Sequence, residues 1–240
     1  MKKIRLGINI DHVATLRNAR NENFPNLITV AKLLKKINVD SITIHLREDR
    51  RHIRDKDVSE LSKSNFLPLN LEMAATEEMQ KICLKHKPFA CCIVPERREE
   101  LTTEGGLNVL AQRDYLNKFL PPILKMGIRT SLFVDPCTKQ IKAAHELGAN
   151  AVEIHTGKYS RLFKKKQFSS ELDQIKKAAI FCNSLGMECH AGHGLTFKNV
   201  SPIASIQNIV ELNIGHFIIG ESISIGLKNV IKKIKNSIKK

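Results

Sequence analysis

Histidines and carboxylic acids recur at one kind of position in this sequence, the C-terminal end of a short apolar run. Asp11 and His12 end the first run, His45 lies near the end of the second, and Glu72 near the end of the third. A histidine exchanges a proton near neutral pH, and burial raises the pKa of a carboxyl group towards the same range. These residue types therefore predict general acid–base chemistry.

Neighbouring residues favour a functional interpretation of these side chains. Arg47 follows His45 by two residues and so lies on the same side of an extended strand. Its guanidinium can hold a phosphate or carboxylate with two hydrogen bonds, which favours a functional His45 over a structural one. Glu72 and Glu153 lie inside apolar runs, where a carboxylate is costly to bury unless it is paired. For both glutamates, the alternative is a structural ion pair with an arginine.

Eight apolar runs carry these side chains, separated by segments with helical spacing or turn residues. The runs are IRLGINIDH (4–12), DSITIHLRED (40–49), LPLNLEMA (67–74), FACCIVPE (89–96), RTSLFVD (129–135), NAVEIHTG (150–157), MECHAGHG (187–194) and LNIGHFIIG (212–220). Alternating strand and helix signals indicate an α/β protein with a parallel sheet, and eight units predict a (β/α)8 TIM barrel with a few extra short helices.

The C-terminal ends of barrel strands, with the loops that follow them, form one face, which we call the mouth. We expect the following side chains to converge there: Asp11, His12, His45, Arg47, Glu72, Glu96, Asp135, Glu153, His155, His193 and His216. Such a convergence of acids and histidines is typical of an enzyme active site.

Local signals place several helices. Pro25 predicts the start of a helix over 25–37, and Thr138 is expected to cap a later helix that ends at Gly148. The basic segment 157–170 predicts an extra helical turn. The polar loop 95–107 ends in two glycines and is interpreted as a lid with a hinge, the alternative being a solvated loop.

Glycines after the last two runs predict phosphate binding. In CHAGHGLT (189–196), glycines allow the backbone to approach a ligand closely, and NIGHFIIG (213–220) has the form of a phosphate cradle at a helix N-terminus. Arg20, Arg47 and Arg50 offer further anion contacts. The two histidines of the first segment raise the possibility of a metal, but the usual spacings of metal ligands are missing, so we expect no catalytic metal.

Composition limits the remaining classes. The 240 residues show no linker, so one catalytic domain over 1–240 is expected, and no apolar run is long enough for a membrane span or a secretory signal. We therefore expect a cytoplasmic protein, with its six cysteines reduced and mostly buried. The net charge of +15 leaves nucleic-acid binding as a remote alternative, because no aromatic residues interleave with the basic patches. The tail's Ile231, Ile234 and Ile238 form one stripe that is expected to pack on the barrel.

Seven segments together resemble the pyridoxine 5′-phosphate synthase family of vitamin B6 biosynthesis. They are NIDHVATLRNAR (9–20), ITIHLREDRRHI (42–53), NLEMA (70–74), VPERREELTTEGGL (94–107), EIHTG (153–157), AGHGLT (191–196) and ELNIGHFIIG (211–220). The resemblance implies a transferase that condenses 1-deoxy-D-xylulose 5-phosphate with 3-amino-2-oxopropyl phosphate, without cofactor or metal, in a homo-oligomer, an octamer. No nucleic acid or membrane partner is implied.

The resemblance also implies roles for individual residues. His45 and Glu72 would accept protons, His193 would donate one, and Glu153 would stabilise charged intermediates. The residues implied to hold the substrates are Asn9, Arg20, Gly194, Gly215 and His216 for the aminoketone phosphate, and Asp11, His12, Arg47, His52 and Thr102 for the deoxyxylulose phosphate.

Two positions depart from the family pattern. Glu221 stands where an arginine is common, and Lys158 where a small residue or cysteine is common. We expect Glu221 to point away from the phosphate and Lys158 not to form a Schiff base. The rival interpretation is another phosphosugar enzyme on the same barrel, an isomerase or aldolase with a single substrate.

Overall fold

A computed structural model of the chain describes residues 3–96 and 105–239. Its strands are β1 (Arg5–Asn9), β2 (Ser41–His45), β3 (Leu69–Met73), β4 (Ala90–Ile93), β5 (Arg129–Val134), β6 (Ala151–His155), β7 (Glu188–Gly192) and β8 (Ile209–Ile214). Each strand pairs in parallel with the next, and β8 pairs with β1, which closes the barrel. The predicted (β/α)8 fold is confirmed.

Helices connect the strands and cover the outside of the barrel. Within the described ranges they are α1 (Asp11–Asn18), α2 (Leu27–Lys36), α3 (Asp55–Ser64), α4 (Glu77–His86), α5 (Arg113–Lys125), α6 (Thr138–Glu146), α7 (Gly157–Lys164), α8 (Ser169–Ser184), α9 (Val200–Ala204), α10 (His216–Ile225) and α11 (Leu227–Ser237). The helix α7 corresponds to the extra turn expected in 157–170 and is longer than one turn.

Three local expectations were wrong in detail. The helix α2 begins at Leu27 rather than at Pro25, because the side chain of Asn26 caps it by accepting the Thr29 N–H at 3.0 Å. Cys137 is the N-cap of α6, and Thr138 is its first helical residue. The first run likewise ends at Asn9 as a strand, so that Asp11 and the residue after it open α1.

The last apolar run contains two elements instead of one. The strand β8 starts at Ile209, before the run, and α10 begins at His216, within it. Ile218 and Ile219 are buried as part of α10. Apolar residues that bury one side of a helix cannot be distinguished by composition from those of a strand, so the boundary was missed.

The barrel interior is polar at the level of Thr43. The hydroxyl of Thr43 on β2 lies 3.4 Å from Oδ1 of Asn213 on β8, and Asn70 Nδ2 lies 3.4 Å from the same hydroxyl. Because β2 and β8 are not neighbours in the sheet, these side chains meet inside the barrel. The apolar core lies mainly between the strands and the helices.

A charged network closes the N-terminal end of the barrel. Glu211 Oε2 lies 2.7 Å from Arg5 Nε and 2.9 Å from Arg129 Nη2. Arg129 also pairs with Glu188, and His190 Nε2 lies 3.1 Å from that carboxylate. His190 therefore belongs to this network and lies away from the mouth.

The C-terminal tail and the cysteines are placed as the sequence predicts. Ile231, Ile234 and Ile238 are buried against the barrel, as expected. The cysteines are free thiols, all buried except the half-buried Cys137. In the described ranges, no helix has the length and apolar character needed to cross a membrane.

Candidate active site

Asp11 links the first two strand ends at the mouth. Its Oδ1 accepts the backbone N–H of His45 at 2.8 Å, and its Oδ2 accepts a hydrogen bond from Asn9 Nδ2 at 2.8 Å. The side chain of Asn9 in turn accepts the Asp11 N–H at 2.9 Å. His52 Nδ1 lies 4.0 Å from Asp11 Oδ1. The strand ends of β1 and β2 are thereby held in one hydrogen-bonded group.

Glu96, which follows β4, is buried beside His45 and Arg47. Its Oε2 lies 3.3 Å from His45 Nε2, its Oε1 lies 3.6 Å from Arg47 Nε, and Oε1 also accepts the Glu48 N–H at 2.9 Å. Burial favours the neutral acid, but the hydrogen bond and charge of His45, followed by Glu48 and Arg47, outweigh it and lower the pKa of Glu96.

Two glutamates lie on β3 and β6, on different sides of the barrel, and Glu153 is buried while Glu72 is half-buried. Burial first, and then the charges of Glu153 and Asp11, raise the pKa of Glu72 well above its usual value. Burial raises the pKa of Glu153 to about 8, against the hydrogen bond that its Oε2 accepts from Asn213 Nδ2 at 2.7 Å. The partner of Glu153 is thus an amide rather than the arginine of the alternative interpretation. With a pKa of about 8, Glu153 holds a proton near neutral pH.

His155 at the end of β6 and His193 just after β7 form a pair of histidines. Their rings are edge to face with centroids 5.0 Å apart, and His155 Nδ1 lies 3.2 Å from Asp135 Oδ1. Burial, followed by the charges of His155 and Arg161, lowers the pKa of His193 to about 4. A Cβ on Gly157 would lie 2.5 Å from His155 Nε2, so only glycine fits between the rings.

The two expected phosphate-cradle glycines lie where a side chain would not fit. Gly194 has a φ of +79°, and a Cβ on it would lie 2.9 Å from Ser160. Gly215 is the N-cap of α10, and a Cβ there would lie 2.8 Å from Asn9. The N-terminus of α10 is a suitable anion site because its first N–H groups have no partner within the helix.

Two imidazole nitrogens are buried at the mouth without a hydrogen-bond partner among the described residues. They are His12 Nδ1 and His155 Nε2. The His12 ring also lies against His216, with centroids 4.6 Å apart. A buried polar atom without a partner is costly, so both nitrogens are suited to bind a ligand in the mouth.

Three of the expected anion contacts are placed differently or are not placed. Arg20 is exposed in the turn after α1, and Thr102 lies outside the described residues. Arg50 is ion-paired with Asp55 at 3.0 Å and with Glu78, which joins α3 to α4. The expected lid falls largely on residues 97–104, outside the described ranges, so the lid and its hinge stay predictions.

The two residues that depart from the family pattern, Lys158 and Glu221, lie on α7 and α10. Lys158 Nζ lies 2.5 Å from the buried Glu171 on α8, and this ion pair occupies its ammonium group. Glu221 lies in the second turn of α10 and is half-buried. Its direction relative to a bound phosphate stays a prediction.

Sequence reasoning missed several residues that support the site. Thr156 donates to the carbonyl groups of Gly192 and His193 at 2.7 Å each, and Asn199 donates to the carbonyl of Gly194 at 3.2 Å. Asn213 was missed although it interrupts an apolar strand two residues after Glu211, a signal that could have found it.

One group at the mouth has the composition of a cation site. Single ligand atoms of Asp11, His45 and Glu72 lie within 4.8 Å of one another. A similar group of Glu188, His190 and Glu211 lies at the other end, where arginines already neutralise both carboxylates. The expectation that the site works without a metal stays a prediction.

Known proteins resemble this chain over nearly its whole length. Residues 6–240 match the family described as "Pyridoxal phosphate biosynthesis protein PdxJ". The pyridoxine 5′-phosphate synthase of Zymomonas mobilis is 53% identical over 234 residues, covering 98% of this chain and 91% of that protein. The enzyme of the same name from a Sulfurihydrogenibium species is 50% identical over 238 residues, with 98% of each chain covered.

A solved structure with low sequence identity supports the fold alone. The 3-keto-L-gulonate-6-phosphate decarboxylase of Vibrio cholerae superposes with a TM-score of 0.66 at 13% identity, covering 99% of this chain and 98% of that one. The family assignment rests instead on the full-length sequence matches and on motifs that meet at one mouth. On that evidence, the chain belongs to the pyridoxine 5′-phosphate synthase family.

Proposed function

We propose that the mouth condenses 1-deoxy-D-xylulose 5-phosphate with 3-amino-2-oxopropyl phosphate to give pyridoxine 5′-phosphate, inorganic phosphate and water. Family membership supplies the reaction. The observation in this chain that supports it is that Glu72 and Glu153, two glutamates with raised pKa values, lie at the strand ends with two histidine–carboxylate pairs. A ring-closing condensation needs several proton transfers, and this set of groups supplies both acids and bases.

The two substrates are assigned to adjoining parts of the mouth, which meet where Asn9 hydrogen-bonds to Asp11 and where the His12 ring contacts His216. The proposed contacts of the deoxyxylulose phosphate are Asp11, His12, Arg47, His52 and Thr102, and those of the aminoketone phosphate are Asn9, Arg20, Gly194, Gly215 and His216. The contacts that join Asp11 to His52 and Gly215 to Asn9 support this division. The helix N-terminus of α10 suits the second phosphate.

The amine of the second substrate attacks the ketone of the first, so an imine forms without an enzymic lysine. This agrees with the ion pair that occupies Lys158. In this proposal His45 and Glu72 accept protons during enolisation, and His193 donates a proton to the leaving oxygen. Glu153, held by Asn213, stabilises the charged intermediates. None of these steps calls for a redox cofactor.

We further propose a homo-oligomer, an octamer as the family resemblance implies, in the cytoplasm. Leu16 on α1, Phe24 and Ile223 on α10 are exposed apolar side chains, which suit a contact between subunits. Free thiols fit a reducing compartment. Light scattering after size-exclusion chromatography tests the assembly, and a monomer would contradict it.

The reaction is tested by incubating chelator-treated protein with both substrates and assaying for pyridoxine 5′-phosphate. We expect product only when both are present. Product that depends on added divalent metal would contradict a metal-independent site. Conversion of one phosphosugar alone, without the aminoketone, would support the isomerase or aldolase interpretation instead.

A further inference from the structure

We infer that Glu96 is a positioning residue that sets the tautomer of His45 and at the same time holds the guanidinium of Arg47. None of the roles implied by the family resemblance falls on Glu96. The inference rests on the proposed function for its effect on turnover, but its structural part, the tautomer, is independent of the reaction.

The position of Glu96 makes it a bridge between strands that are not neighbours. Glu96 follows β4 and His45 ends β2, with β3 between them in the barrel. The side chain of Glu96 is only 3% exposed, so its contacts are made inside the mouth rather than at the surface. A buried carboxylate is retained where partners stabilise its charge.

Both oxygens of Glu96 are used, which fixes the plane of the carboxylate. Oε1 accepts the Glu48 N–H at 2.9 Å and lies 3.6 Å from Arg47 Nε, while Oε2 lies 3.3 Å from His45 Nε2. Rotation of the carboxylate would break contacts on both sides. Oε2 of Glu96 is therefore held in one fixed direction relative to the imidazole of His45.

An ionised carboxylate only accepts hydrogen bonds, so the proton of a neutral His45 must be on Nε2. The lone pair is then on Nδ1, which becomes the atom able to accept a proton. The charged and titratable groups that face His45 are Glu96, Arg47, Asp11, His52 and Glu72. Of the described contacts to its ring nitrogens, the hydrogen bond to Glu96 selects the tautomer.

Arg47 shares the same carboxylate, so one residue orients both the proposed base and a proposed phosphate ligand. A substitution at Glu96 should then affect turnover and binding of the deoxyxylulose phosphate together. It should leave binding of the aminoketone phosphate unchanged, since the described contacts of Glu96 are to His45, Arg47 and Glu48 and not to a proposed ligand of that phosphate. A merely structural ion pair would change thermal stability without this selectivity.

The test is Glu96→Gln, which keeps the shape and the acceptor for the Glu48 N–H. The glutamine amide can donate to His45 Nε2, which reverses the tautomer. We expect kcat to fall about 10- to 100-fold, the loss found when the hydrogen-bond partner of a metal-bound histidine is removed. KM should rise for the deoxyxylulose phosphate only.

Long-range 15N–1H spectra of histidine-labelled protein report the tautomer directly, with His45 assigned from the spectrum of a His45→Gln variant. We expect Nε2–H in the wild type and Nδ1–H in Glu96→Gln. Glu96→Asp keeps an ionised acceptor and is expected to retain the wild-type tautomer. Glu60→Gln is the control, because Glu60 is an exposed α3 residue paired with Lys56.

An Nδ1–H tautomer in the wild type, or the same tautomer in the wild type and Glu96→Gln, would overturn the inference. So would a normal kcat in Glu96→Gln. If the wild type makes no pyridoxine 5′-phosphate but shows the expected tautomers, the proposed function fails while the positioning role stands. The two failures are thereby separable.

Discussion

Asn213 on β8 donates a 2.7 Å hydrogen bond to Oε2 of Glu153 on β6, across the end of β7. The backbone of β7 is adapted to this contact, since a Cβ on Gly192 would lie 2.3 Å from Glu153 Oε1. The hydrogen bond fixes the orientation of a carboxyl group that burial otherwise keeps protonated, with a pKa of about 8. Glu153 is thus a preorganised neutral acid at physiological pH.

Glu153→Gln is expected to be more stable to unfolding than the wild type at pH 9. At pH 5 this advantage should be much smaller. The pKa of Glu153 is near 4.3 in the unfolded chain and about 8 in the folded one, so folding takes up a proton between these values. The wild type therefore loses free energy of unfolding as the pH rises from about 4.3 towards 8, at up to about 1.36 kcal/mol per pH unit. Glutamine has no such loss.

Urea unfolding of the wild type and Glu153→Gln at pH 5, 7 and 9 measures this difference. Glu60→Gln, an exposed glutamate on α3, is the matched control and should show little change across the series. A constant difference between the wild type and Glu153→Gln at all three pH values would mean that Glu153 has an ordinary pKa in the folded protein.

Glu72→Gln is expected to keep the fold and phosphate binding but to lose about 10²- to 10⁴-fold in kcat, the usual contribution of a general acid or base. The raised pKa of Glu72 suits a group that exchanges protons near neutral pH. Steady-state kinetics with both substrates, together with thermal unfolding, measures the effect. Near-normal turnover would remove Glu72 from the chemistry.

The sequence predicts which side chains lie at the strand ends of the site, but not which side chains they contact. An acid or histidine at the end of an apolar run indicates position on the mouth, as for His45 and Glu153. The pairing of His45 with Glu96 depends on how β2, β3 and β4 are aligned in the barrel, and local patterns carry no such information. The exposed position of Arg20, by contrast, depends on the turn that follows α1.

Phosphate binding is expected to raise the pKa of His193. That pKa is about 4, so His193 is neutral at pH 7 and needs a higher pKa to act as the proposed proton donor. A phosphate dianion held by the adjacent Gly194 and by Gly215 would favour the imidazolium. Histidine NMR titration with and without inorganic phosphate follows the change. His145, exposed on α6, should not respond, and an unchanged His193 would contradict its role as donor.

The charged network at the N-terminal end of the barrel, opposite the mouth, is expected to contribute to stability without affecting catalysis. Glu211 is only 4% exposed and lies between Arg129 and Arg5. Arg129→Met removes one of the two arginines that pair with Glu211 and is expected to destabilise the fold by about 3 kcal/mol, because a buried charge is left poorly compensated. Its kcat should match the wild type at a temperature where both are folded, since Arg129 lies at the strand start.

Arg113→Met is the matched control for Arg129→Met. Arg113 pairs at 3.1 Å with Glu146, but both side chains are largely exposed, and such a pair contributes less than about 1 kcal/mol. Urea unfolding should therefore separate the two variants clearly. Equal, small effects would mean that the charge of Glu211 is sufficiently compensated by Arg5 and His190 without Arg129. A loss of kcat in folded Arg129→Met would instead show that the two ends of the barrel are coupled through its polar interior.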